Sequence, residues 1–385
     1  MKFYNRTKEI QLLEKVIRGK GEKFIIIKGV RRIGKTRLIL ELLKDKNYAY
    51  IFIPKDKTVS SFLEEISGEL KIPRFTKLID FFKYIFEKYE FVFLDEFQNF
   101  YYMEKSAYSN LQKLIDKFKR QEKNLCIFTA GSSYSLIKKI FSDYSKALYG
   151  RRDLEVTLEE LDIGAVFQIL DDLNIKNIEE KIKFWSIFGG MPKHYELIEI
   201  LSPKSFKEFI EMFFLTNFKS MLDEGNSILK SEFGGEYKTY YTVMEAIAQG
   251  KTKLSEIASF FNGDNNRANR YTDLLRKEYN LIIKLEPIIA KNAAGKYQMR
   301  NNFFSFWFRY VKKYESYYEQ GRTNEAVGFF HETFNSYVGR MFEKFCLELI
   351  KQYPIIMPIQ FDRIGEQRGK FKGEKGKNTY EIVMV

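Results

Sequence analysis

Gly29-Val30-Arg31-Arg32-Ile33-Gly34-Lys35-Thr36 reads G-x-x-x-x-G-K-T, and its flanks decide the fold. The apolar run Phe24-Ile25-Ile26-Ile27 ahead of it predicts a buried strand. Arg37-Leu38-Ile39-Leu40-Glu41-Leu42-Leu43 behind it predicts a helix. In a strand–loop–helix setting the backbone N–H groups of Gly29, Arg32, Ile33 and Gly34 converge on an anion. The first helical turn, Lys35, Thr36 and Arg37, adds the positive end of the helix dipole. Lys35 is then expected to reach the β and γ phosphates of a nucleotide, and Thr36 to hold Mg²⁺.

A second apolar run, Phe91-Val92-Phe93-Leu94, ends in Asp95-Glu96, about sixty residues beyond Lys35. Asp95 suits support of Mg²⁺ and Glu96 suits activation of a water as general base. Gln98 stands close enough in sequence to help place that water. A third run, Asn124–Ala130, ends in Gly131-Ser132-Ser133, where Ser132 or Ser133 can touch the γ phosphate or the water. Arg151 and Arg152 follow, and an arginine meeting a developing γ-phosphate charge is worth several powers of ten in rate. They can act in cis, act on a neighbouring copy, or simply pair with Asp153 and Glu155.

The 385 residues predict two or three domains, and 45% hydrophobic content is enough for their cores. No run approaches the roughly 18 apolar residues of a membrane span. Met1–Arg6 lacks the apolar region of a secretory leader. Cys126 and Cys346 stand apart from any metal-ligand pattern and read as buried thiols of a reducing, cytoplasmic setting. The net charge of +13 fits a polyanionic partner, or equally the Lys- and Glu-rich surface of a heat-adapted protein.

Strands expected at 24–28, 48–53, 91–94, 125–130 and 154–158 alternate with helices at 7–18, 36–45, 59–70, 76–88 and 106–121. This rhythm predicts a mainly parallel sheet with the ligand beyond the strand carboxyl ends. Residues 159–225 read as helices alone, interrupted by Gly189-Gly190-Met191-Pro192, where Pro192 can cover an adenine or merely turn the chain. Between 236 and 310 three short helices precede a hairpin at 281–285 and 297–300, with its tip at 291–296. That order is a winged helix-turn-helix, with Arg267 and Arg270 on the third helix; it suits DNA or, alternatively, a protein partner. The aromatic-rich stretch Asn301–Tyr318 reads as packing between domains.

Taken together, these marks resemble the archaeal-type P-loop ATPases of the AAA+/STAND group, which join an ATPase, a winged helix and a restriction-endonuclease-like domain. The resemblance rests on Phe3-x-Asn5-Arg6-x-x-Glu9, the glycine loop, Leu94-Asp95-Glu96-Phe97, Gly131-Ser132-Ser133, Tyr149-Gly150-Arg151, Gly189-Gly190-Met191-Pro192 and Phe306-Trp307. It implies ATP and Mg²⁺ as ligands, Asn5 and Arg6 near the adenine with Pro192 opposite, and possible self-association. It also implies a nuclease-like end in which Glu343 and Glu381 match acidic positions, while a Glu-x-Lys pair has no counterpart before Val385. Cleavage is therefore not expected, and Thr379–Val385 is expected to leave an unpaired strand edge. The expected architecture is an α/β P-loop core over 1–158, a helical lid over 159–230, a winged helix over 231–315 and a truncated nuclease-like segment over 316–385.

Overall fold

Phe24, Ile25, Ile26 and Ile27 are at most 1% exposed, because their strand lies inside a sheet covered on both faces. In the computed structural model, which describes residues 1–233, 237–288, 295–357, 360–373 and 376–383, the chain forms two units. One is Asn5–Glu159; the other joins Met1–Tyr4 to Glu160–Val385.

In the first unit the elements run α1 (Thr7–Ile17), β1 (Glu22–Lys28), α2 (Lys35–Leu43), β2 (Tyr48–Phe52), α3 (Val59–Glu69), α4 (Leu78–Lys88) and β3 (Phe91–Asp95). Then come α5 (Phe100–Met103), α6 (Ala107–Arg120), β4 (Leu125–Ala130), α7 (Tyr134–Ser142) and β5 (Leu154–Thr157). The sheet order is β2-β3-β4-β1-β5, every pairing parallel. Ile27 faces Ala130 on one side and Val156 on the other, while Leu94 faces Thr129. The carboxyl ends of β3, β4 and β1 are therefore neighbours, and the loops leaving them share one edge.

The short helices α5 and α7 are additions to the sequence reading. Both are held by aromatic packing: Phe97 stacks on Phe141 at 5.6 Å and meets Phe100 edge-on at 5.8 Å. The Phe97–Phe141 contact joins residues far apart in sequence, so periodicity alone does not reveal it.

The second unit has one apolar core running from Leu161 to Phe345. Helices Ile163–Asp172, Ile178–Phe188, Phe218–Phe233, Tyr237–Ala248 and Thr323–Gln352 all contribute to it. This is why three sequence segments condense into one unit. Trp307 is fully buried, donates its indole N–H to the Met221 carbonyl at 2.9 Å, and lies against Gly225, where a Cβ has no room. The aromatic stretch after Asn301 thus packs inside this unit.

Helices Tyr237–Ala248, Leu254–Ala258 and Asn265–Lys277 precede an antiparallel pair, Ile282–Leu285 with Lys296–Met299. Residues 289–294, which include most of the expected hairpin tip, lie outside the described residues. Gly376–Val383 pairs antiparallel with Glu366–Gly373, with Thr379 opposite Lys370, and in this two-stranded sheet each strand has its partner on one side only. The facing run Glu366-Gln367-Arg368 is too polar to read as a strand, which is why its partner was missed. Glu343 lies in the long helix Thr323–Gln352 and Glu381 in the hairpin. Among the described residues no group of three His, Cys, Asp or Glu side chains is placed to hold a metal ion. Nor is any helix among them long and apolar enough to cross a membrane.

Candidate active site

The loop between β1 and α2 takes backbone angles that ordinary residues avoid. Gly29 has φ 152°, Arg32 φ 70° and Gly34 φ 96°. At Gly29 an added Cβ would come within 2.9 Å of both the Leu158 carbonyl and Ile33, so glycine is required there. Arg32 carries the strain of a left-handed residue without being glycine, a feature that collects at ligand sites. The chain then enters α2, where Leu38 N–H bonds to the Gly34 carbonyl at 3.0 Å.

Lys35 is 6% exposed and turns back on its own loop, donating to the Gly29 carbonyl at 2.9 Å and the Val30 carbonyl at 3.1 Å. Thr36 Oγ1 donates to Asp95 Oδ2 at 2.7 Å. Asp95 also accepts the Glu96 N–H on Oδ1 at 2.9 Å and the Tyr50 hydroxyl on Oδ2 at 3.3 Å. Burial pushes the Asp95 carboxyl above its ordinary value, with the Glu96 charge adding; the Thr36 bond, the Glu96 N–H and Lys35 oppose this. Tyr50 was not singled out by the sequence. The alternation of β2 sets Tyr48, Tyr50 and Phe52 on one face, but only the β2–β3 pairing brings Tyr50 to Asp95.

Glu96 sits just past β3 with φ 53° and ψ 41°, a left-handed conformation that turns its side chain away from the strand direction. Its Oε2 accepts from Ser132 Oγ at 2.7 Å and from the Gln98 amide. Ser132 follows β4, so two adjacent strand ends clamp one carboxylate. Ser133 is 7% exposed, with its hydroxyl 3.4 Å from that of Ser135. Of the two serines it is Ser132 that reaches Glu96.

Arg6 is 6% exposed and bridges three parts of this unit. It pairs with Glu9 at 3.1 Å and donates to the Ile33 carbonyl at 3.3 Å and the Glu159 carbonyl at 2.9 Å. It thereby ties the start of α1 to the glycine loop. Asn5 precedes it with φ 34°. Arg37 lies in the first turn of α2. Pro192 belongs to the other unit, at the first position of helix Pro192–Leu201. The adjoining Gly190 holds the start of that unit: Gly190 N–H bonds Glu160 Oε2 at 2.8 Å, and Leu161 N–H bonds the Gly190 carbonyl at 2.8 Å.

Arg151 is placed away from this group. Its guanidinium grips Asp116 with two bonds, at 3.0 and 3.1 Å, and donates to the Ala147 carbonyl at 3.0 Å. It precedes β5, and in a parallel sheet the residues before a strand lie at the end opposite the glycine loop. The cis finger role is therefore corrected: Arg151 cannot meet a phosphate held by its own loop. Arg152 pairs with Glu155 at 3.3 Å, as one sequence alternative had it.

A five-stranded parallel sheet, a glycine loop after β1 and an acidic pair at the carboxyl end of β3 define a P-loop nucleoside-triphosphatase fold. Residues 3–198 match the family described as an ATPase domain predominantly from Archaea, and the chain belongs to that family. Residues 307–374 match a second family, described as archaeal and bacterial proteins of unknown function. An uncharacterized protein of Methanocaldococcus jannaschii is 27% identical over 372 residues, covering 94% of this chain and 81% of that protein. Among solved structures, the Walker-type ATPase of Pyrococcus abyssi superposes with a TM-score of 0.60 at 18% identity, covering 80% of this chain and 96% of the other. The ORC2 protein of Aeropyrum pernix, solved in ADPNP–ADP complexes, gives 0.52 at 12% identity, covering 77% and 90%. At these identities the likeness concerns the fold.

Proposed function

We propose that the chain is an ATP-hydrolysing molecular switch of the AAA+/STAND type whose winged helix binds DNA. One observation carries the hydrolytic half of the reading. Glu96 is clamped by Ser132 and Gln98 on the same sheet edge as the Thr36–Asp95 pair and the glycine loop. A carboxylate held by neutral donors beside a phosphate cradle is placed to take a proton from water.

On binding, Lys35 exchanges the Gly29 and Val30 carbonyls for β- and γ-phosphate oxygens. Ser132 orients the Glu96 carboxylate and releases it toward the attacking water. The Thr36 hydroxyl and the Asp95 carboxylate, 2.7 Å apart, are hard oxygen donors that fit Mg²⁺, an ion that keeps most of its waters. When bound, that ion supplies charge neutralisation on the β and γ oxygens. Arg151 enters this scheme only from a neighbouring copy, after leaving Asp116. Nuclease chemistry forms no part of it.

The DNA half rests on the three helices and hairpin between Tyr237 and Met299, whose order is that of a winged helix, and on the four basic residues against one acid in Asn265–Lys277. The test of the whole reading is turnover in wild type and Glu96→Gln. Loss of the base should lower kcat by about 10²-fold or more while nucleotide affinity holds. Equal turnover in the two proteins rejects Glu96 as the base.

A further inference from the structure

Helix Asn265–Lys277 buries Ala268, Thr272 and Leu275 and leaves Asn265, Asn266, Arg267, Asn269 and Arg270 exposed. Asparagine is a poor helix former, so three asparagines within five positions weaken the helix they sit in. Local folding gives no reason for them. Asp264 already caps the helix, accepting the Arg267 N–H at 3.0 Å. Among the described residues the side-chain amides of Asn265, Asn266 and Asn269 bond to no protein group.

The two arginines are held in an uncommon way. No carboxylate pairs with either among the described residues. The Arg267 guanidinium instead lies 5.2 Å from the Phe261 ring centroid, and that of Arg270 lies 5.8 Å from the Tyr271 ring. These two rings stack on each other at 6.0 Å and 7°. An aromatic support fixes the guanidinium while sparing its N–H donors. The far end of the helix differs: Asp273 accepts from Arg276 at 3.0 Å and from Lys277 at 2.8 Å, so the cations there are engaged.

Amides and guanidinium groups are the side chains that form paired hydrogen bonds with purine edges in the major groove. Asparagine matches adenine N6 and N7, and arginine matches guanine O6 and N7. Lysine, which meets phosphates as a point charge without the fork that matches a guanine edge, is absent from this helix before Lys277. Asn266, Asn269 and Arg270 stand at i, i+3 and i+4 and share one patch.

We propose that this patch reads base sequence in duplex DNA, Asn266 and Asn269 on adenines and Arg270 on a guanine. The inference rests on the reading that the winged helix binds DNA and adds that the binding is sequence-specific. The experiment is selection from randomised DNA duplexes by the 385-residue chain, followed by affinity measurements on a selected and a scrambled duplex. A consensus containing adenines and a guanine is expected. Asn269→Ala should lose about tenfold on the selected duplex and keep its affinity for the scrambled one. Arg270→Lys, which keeps the charge but not the fork, should relax preference at one position without changing the salt dependence. Binding with no consensus, or variants that keep the wild-type ratio between the two duplexes, overturns the inference and leaves DNA binding standing. No binding to any duplex overturns both.

Discussion

Gly131 has no room for a side chain: a Cβ there would run into Gln98 Oε1 and the Ile137 side chain. Gln98 is one of the two groups that hold Glu96, so the substitution Gly131→Ala should act on chemistry more than on binding. We expect kcat to fall by about tenfold or more with nucleotide affinity within threefold, since misplacing a proton acceptor by about 1 Å can cost 10²-fold. Unchanged turnover would show that the clamp on Glu96 is dispensable. At this scale the sequence was legible wherever a residue type is tied to a motif. Lys35, Thr36, Asp95 and Glu96 could be named as candidates from the motif, and the fold brings them to one sheet edge, with Thr36 bonded to Asp95 and Glu96 to Ser132. Tyr50 and the closeness of Gly131 to Gln98 were not legible, because both depend on which strands are neighbours.

Glu22 opens β1 at the end of the sheet away from the glycine loop. It is 4% exposed, and neither carboxyl oxygen has a protein hydrogen-bond partner. Burial first, then the charge of Asp153, pushes this carboxyl up to about 7; Lys119 and Lys23 oppose and Asp116 adds. The folded state therefore favours the neutral acid, and the stability this contributes is complete below pH 4.5 and lost as pH rises through about 7. Glu22→Gln removes that loss. The variant should be the more stable protein above pH 7, by an amount on the order of 2 kcal/mol, and should match wild type near pH 4. Thermal unfolding across pH measures this, and parallel curves for the two proteins would contradict it. Strands β1 to β5 were legible in outline because apolar runs between turn residues have few other uses. Helices α5 and α7 were not, because Phe97, Phe100 and Phe141 define them together. The same holds for Arg151, whose reading changed once the parallel topology put it at the other end of the sheet from Lys35.

The second unit begins at a junction built on Glu160. Its carboxylate accepts from Gly190 N–H at 2.8 Å and from the Asn301 amide at 2.8 Å, while Lys344 reaches the Arg300 carbonyl at 2.8 Å and Asn302 at 2.7 Å. Residues near 160, 190, 301 and 344 are thus tied at one point. Glu160→Ala should leave the Gly190 N–H and the Asn301 amide without their acceptor and lower stability by about 2–4 kcal/mol. A thermal midpoint within a degree of wild type would show that the junction is not needed. The glycines of Gly189-Gly190 could be flagged from sequence as conformationally special, yet their partner at Glu160 lies thirty positions away and left no local trace. The four-part division likewise could not anticipate that three segments pool their aromatic side chains in one core. Above all of this stands one claim, that the turn from Gly29 to Thr36 wraps a triphosphate. Isothermal titration with a non-hydrolysable ATP analogue and Mg²⁺ tests it most directly. The account predicts saturable uptake at a single site, with affinity falling about 100-fold or more in Lys35→Glu; no heat from wild type, or equal uptake by the variant, would contradict it.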